Sequence, residues 1–105
     1  MSTVSFPSGR WAGWYCYEPK DRHAMEIDVT FADGTVRGSG QDEVGTFTIL
    51  GEYNAATDEC GWVKTYSNSH AVYYSGYCDD RGIWGRWDIG LHGQGGFHIW
   101  PKEGK

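Results

Sequence analysis

Eight short stretches of alternating apolar and polar residues, each ended by a turn signal, constrain this chain more than any other feature of its sequence. A period of two puts alternate side chains on opposite faces, which is the pattern of a strand buried on one side only. The cleanest run is 23–32, where Met25, Ile27, Val29 and Phe31 alternate with Glu26, Asp28 and Thr30. Asp33-Gly34 follows it, a two-residue hairpin signal that needs positive φ. The other runs are 10–17, 35–41, 46–54, 60–66, 70–78, 83–88 and 96–100. Between them, Asp42 and Gly45 occupy the first and last positions favoured in a type I turn. Ser67-Asn68-Ser69, the 79–82 segment and a flexible 90–96 loop supply further breaks, and Pro101 is expected to stop the last run. No stretch of ten or more residues carries helical periodicity.

Runs this short, joined by links this short, imply a meander of neighbouring antiparallel strands. Rolling the meander shut removes the unpaired edges that would otherwise aggregate. The expected fold is therefore all-β: a single closed eight-stranded antiparallel up-and-down β-barrel, with residues 1–105 as one domain. Two stacked sheets are the alternative, at the cost of edges to protect. The 16 glycines belong to this picture, because they are accompanied by 6 Trp and 7 Tyr, which low-complexity chains lack. Two echoes, Trp11-Ala12-Gly13-Trp14-Tyr15 and Ile83-Trp84-Gly85-Arg86-Trp87, put Gly between large residues on one face. They read as places where a large side chain from across the barrel needs room.

The more apolar parity should face inward. Two residues on that face are out of place, Lys64 and His70, since a buried charge is costly unless it is paired. Up-and-down topology assigns each residue to an end. Trp11, Phe31, Val36, Tyr53, Trp62, Ile83 and Ile99 collect at one end as an apolar plug. Tyr15, Tyr17, His23, Asp42, Lys64, Tyr66, His70 and Trp87 collect at the other. Aromatics with a few convergent polar groups are the signature of a binding pocket. The candidate ligand-binding set is Tyr15, Asp42, Lys64, Tyr66, His70, Tyr74 and Trp87, with Lys64 and His70 as polar anchors. Each has a plainer role open to it: Asp42 in its turn, Lys64 reaching solvent along Trp62 and Tyr66, His70 at a strand start, and the tyrosines in the core.

Trp14, Tyr73, Tyr77, Trp84 and Trp100 fall on the outward parity, several of them on neighbouring runs. Contiguous exposed aromatics mark an interface, and a homodimer is its commonest form. Three functions follow: a small-ligand-binding barrel for a partly aromatic or anionic molecule; a small barrel isomerase or cyclase with Asp42 or His70 as base and Lys64 as electrostatic stabiliser; or an interaction module acting through the outer patch. No nucleophile elbow, P-loop or HExxH motif is present, no catalytic residue is assigned, and no cofactor is expected. His23, His70, His92 and His98 have no zinc spacing, so no metal is expected either. A net charge of −5 without a basic stripe argues against nucleic acid. No apolar run is long enough for a membrane-spanning helix, and no polybasic cluster suggests a membrane surface. Cys16, Cys60 and Cys78, odd in number and without CxxC spacing, point to free thiols in the reducing cytosol, although Cys60 and Cys78 come near enough as diagonal neighbours for a disulfide to be conceivable.

The pattern Gly9-x-Trp11-x-Gly13-x-Tyr15 ahead of eight short strands resembles the avidin/streptavidin-like and lipocalin-like (calycin) barrels. That resemblance implies a Trp closing one barrel end and a general habit of binding inside the barrel. The biotin-binding side chains of that family do not map onto this chain, so biotin is not implied. Met25, Gly38-x-Gly40-x-Asp42, Lys64-x-Tyr66 and Ile83-x-Gly85-x-Trp87 also resemble a small bacterial-type family with no assigned activity.

Overall fold

The computed structural model describes residues 6–18, 20–67, 70–90 and 93–102. Eight strands run in chain order: β1 (Gly9–Cys16), β2 (Arg22–Ala32), β3 (Thr35–Asp42), β4 (Thr46–Asn54), β5 (Glu59–Tyr66), β6 (Ala71–Asp79), β7 (Gly82–Asp88) and β8 (Gln94–Pro101). Each pairs antiparallel with the next, and β8 returns to β1, so the sheet is a closed up-and-down barrel. The closing seam runs from Trp11 opposite Pro101 to Cys16 opposite Gly96. Pro101 thus sits inside β8 as its last residue rather than ahead of its end. The Ser67–Ser69 turn lies only partly within the described residues.

Turn chemistry sets the register. Asp33 and Gly34 both adopt positive φ, 52° and 81°, which matches the twist of the flanking strands. Asp42 folds the β3–β4 turn by accepting the Val44 amide on Oδ1 at 2.9 Å. With register fixed, alternation decides burial, and every second residue of β2 is buried: Met25, Ile27, Val29 and Phe31. The lumen is filled by its own side chains, including Trp11, Val36, Phe47, Trp62, Ile83, Phe97 and Ile99. Burying each large apolar side chain contributes about 1.5–3 kcal/mol.

The glycines of the two echoes have a different cause from the one expected. A Cβ on Gly13 would run into the backbone of His98 and Ile99, and one on Gly85 into Ser75 and Gly76. The room is needed by the neighbouring strand, whose backbone is pressed close by the tight coiling of a small barrel.

One end is closed by rings. Phe6 packs 5.3 Å from Phe31 and 4.8 Å from Tyr53, and Trp11 lies 5.7 Å from Phe31 (ring centroids). The segment leading into β1 is strapped over this end: Trp11 Nε1 donates to the Pro7 carbonyl at 2.8 Å, and the Phe31 amide donates to Ser8 Oγ at 2.9 Å. Cys60 and Cys78 are buried as free thiols, and burial, with Cys78 beside it, pushes the Cys60 thiol up to about 12.

Candidate functional site

At the opposite end, three residues from the ends of β3 and β5 meet. Lys64 Nζ donates to Asp42 Oδ2 at 2.8 Å, and Tyr66 Oη donates to the same oxygen at 2.6 Å. Asp42 therefore divides its carboxylate, one oxygen holding the turn and the other holding the site. Lys64 and Tyr66 share a face because they are two apart on β5, and the hairpin turn carries Asp42 across to them. Four rings surround the ammonium, with Phe47, Tyr15, Tyr66 and Tyr74 centroids 4.5, 4.8, 5.0 and 5.1 Å away. Such contacts replace part of the lost hydration of a cation. Lys64 is 1% exposed.

The electrostatics follow from this burial. Burial pushes the Asp42 carboxyl up, but hydrogen bonds from Lys64 and Tyr66, with the ammonium charge, outweigh it and hold it below the ordinary 3.8. Burial lowers the Lys64 ammonium, and Asp42 offsets this only in part. The Tyr66 hydroxyl is raised by burial and by its bond to Asp42, so it stays a donor. Tyr15 and Tyr74 are raised by burial first and by the Asp42 charge second.

Above this network lies a cleft of about 80 Å³, bordered by Tyr15, Tyr17, Tyr66, His70, Tyr74 and Trp87, with Val44, Val72 and Ile89 between them. Neither Lys64 nor Asp42 lines it. Lys64 thus lies buried beneath the rings, bonded to Asp42, and does not border the cleft. His70 borders the cleft, but not as the inward first residue of the sixth strand: β6 begins at Ala71, and His70 is an exposed rim residue whose ring lies 5.3 Å from Tyr66. The other candidates, Tyr15, Tyr66, Tyr74 and Trp87, gather at this mouth. The Tyr15 and Tyr74 hydroxyls make no hydrogen bond among the described residues.

His23 joins the rim, its ring 5.1 Å from Tyr15 and its nitrogens 2.7 Å from Asp21 and 2.9 Å from Glu43. The Glu43 hydrogen bond, with Asp21 beside it, raises the His23 pKa above 6.5 despite some desolvation. The sequence placed His23 at this end but did not reveal Phe47 or the acidic partners Asp21 and Glu43. The pairing of Phe47 with Tyr66 follows from the β4–β5 register and was the available signal. Among the described residues no three His, Cys, Asp or Glu side chains converge on a metal position. His92 lies outside the described residues.

The outer wall carries a second feature. Tyr77 stands opposite Trp84, Trp84 opposite His98, and His98 opposite Trp14, a row crossing β6, β7, β8 and β1. Successive ring centroids are 5.6, 6.2 and 6.2 Å apart, and Trp100 adds a ring 5.1 Å from His98. Tyr77, Trp84 and Trp100 are 48%, 40% and 38% exposed. Trp14 is half-buried with the Arg22 guanidinium 4.3 Å over its ring. Tyr73 stands apart, in a separate row with Leu50 and Val63. Two larger hollows, about 480 and 650 Å³, are open grooves on the outer wall.

No family model matches this chain, and comparison with curated proteins and with solved structures finds no match.

Proposed function

We propose that this protein is a non-enzymatic interaction module whose working surface is the aromatic wall of β6, β7, β8 and β1. The observation that carries the reading is the unbroken Tyr77–Trp84–His98–Trp14 row, with Trp100 beside it, on a barrel whose lumen is full. Exposed contiguous aromatics of this kind favour an interface, where Tyr and Trp carry most of the binding energy. The magnitudes favour it over a lumenal ligand: a cleft of about 80 Å³ is far below the roughly 300–1,000 Å³ of a small-molecule site. The same comparison weighs against a barrel enzyme, because Asp42 and Lys64 are locked to each other out of a substrate's reach. The calycin-like resemblance is thus proposed for architecture alone.

A second reading keeps the mouth as the site, for a small polar or aromatic head group. It is favoured by the Tyr15 and Tyr74 hydroxyls, which make no hydrogen bond among the described residues and sit at the edge of the cleft. One experiment separates the two. Peptides selected from a random display library are added to isotopically labelled protein, and chemical-shift changes are mapped. Changes centred on Trp14, Tyr77, Trp84 and Trp100 are expected. Changes centred on Tyr15, Tyr74 and Trp87 would replace the wall with the mouth.

A further inference from the structure

We infer that the occupant of the aromatic wall is a second copy of this chain, related by a two-fold axis passing through Trp84. This rests on the wall being an interaction surface and adds the identity and geometry of the partner. The argument comes from where the charges stand around the rings. On β7, Gly82, Trp84, Arg86 and Asp88 alternate outward–facing register with the inward Ile83 and Trp87, and Asp79 of β6 stands opposite Gly82. Asp79 and Arg86 therefore lie two residues to either side of the Trp84 level, each about 7 Å from it along the strand direction at ~3.4 Å per residue.

A two-fold axis lying in the plane of the wall, along the Tyr77–Trp84–His98 row, turns a second copy face to face with the first. Trp84 meets Trp84 of the second copy. Tyr77 meets Tyr77 and His98 meets His98 of the second copy, one strand to either side. Arg86 arrives beside Asp79 of the second copy, one strand spacing away, which is within the reach of an arginine side chain. Because the axis repeats each contact, two opposite-charge pairs flank a stacked aromatic centre. Isologous interfaces require such self-complementarity.

The two charged residues are prepared for this. Both are exposed, and among the described residues neither forms an ion pair. Asp79 is held in place by the Arg81 amide at 2.8 Å and by Trp84 Nε1 at 3.0 Å, which ties its carboxylate to the ring on the axis. Those bonds hold it below the ordinary carboxylate value, so it carries its charge at neutral pH. Arg86 is oriented by Gln94 Oε1 at 3.0 Å. An aromatic centre with a polar rim is the usual anatomy of a specific interface.

Sedimentation velocity across the micromolar to sub-millimolar range tests this. The wild type should self-associate as a dimer. Arg86→Asp and Asp79→Arg should each weaken association by roughly tenfold or more, since each change acts twice in a symmetric pair. An equimolar mixture of the two variants should restore a dimer, because the reversed charges then face each other. Arg86→Asp touches only the Gln94 contact, so it informs even if Asp79→Arg disturbs its turn. As a second readout, a photo-reactive phenylalanine analogue at position 84 should cross-link one chain to the other close to residue 84. A wild type that stays monomeric throughout overturns the second copy as partner, while the peptide mapping still decides whether the wall binds anything. A dimer indifferent to Arg86→Asp, or cross-links mapping far from residue 84, overturns the two-fold geometry.

Discussion

The two ends of this barrel are closed by opposite means. At one end Phe6, Trp11, Phe31 and Tyr53 pack ring against ring, with backbone-anchored polar ties from Trp11 to Pro7 and between Ser8 and Phe31. At the other, a lysine and an aspartate are buried together beneath tyrosines. The apolar end is a sum of contacts that can be removed piece by piece. The polar end is a unit: either partner alone is an uncompensated buried charge. The first should respond to mutation gradually and be indifferent to pH. The second should respond sharply and carry the pH sensitivity of the fold.

The largest effect expected is therefore at the polar end. Asp42→Ala should destabilise the protein by about 3–5 kcal/mol, read from urea unfolding, because it leaves the Lys64 ammonium unpaired. Pairing it with Lys64→Met should recover most of that loss, since an apolar pair of similar size can replace a buried ion pair. If the double variant is as unstable as the sum of the singles, the two residues do not act as a unit. At the apolar end, Phe6→Ala should cost about 3 kcal/mol, the low side for a buried Phe, since a ring near the chain end leaves a cavity that can collapse. Its cost should add to that of Asp42→Ala, and strong non-additivity would show that the ends communicate.

The pH dependence sharpens the contrast. The folded pKa of Asp42 lies below 3.8, so its stabilisation is present above that value and is lost as pH falls through the folded pKa. Acid unfolding should shift to lower pH in the Asp42→Leu/Lys64→Met variant and stay where it is in Phe6→Ala. The smallest effect belongs to His23. Its folded pKa is raised above 6.5, so its contribution is complete below 6.5 and fades as pH rises through the folded value. A proton NMR titration should place His23 above 6.5 in the wild type, and Glu43→Gln should bring it down. An unmoved midpoint would remove Glu43 as the cause.

The sequence revealed the polar end better than the apolar one. Alternation alone put Lys64 on the inner face, where its charge stood out, and topology brought it to the same end as Asp42 and Tyr66. What alternation could not show was that rings from β1, β4 and β6 would roof the ammonium over, because that depends on how three other strands are staggered. His70 misled because it continues the inward parity of Val72 and Tyr74 back into the turn, and only backbone pairing shows that β6 begins at Ala71. Phe6 was invisible for another reason. It precedes the first alternating run and sits at a φ of 57°, so no periodicity marks it. The aromatic wall was legible as a parity, but assigning Tyr73 to a different row required the register.

The seam between β1 and β8 has a consequence for how the aromatic wall comes into being. It joins residues about 90 positions apart in sequence, such as Trp11 and Pro101. Contacts of such separation are the slow ones in folding, because the loop must be closed before they form. β2 through β7 can be laid down hairpin by hairpin, but Trp14 takes its place beside His98 only when the first strand finds the last. The wall is therefore complete only once the barrel has closed. A chain still open lacks the full surface, so whatever docks there reads whether the barrel has shut.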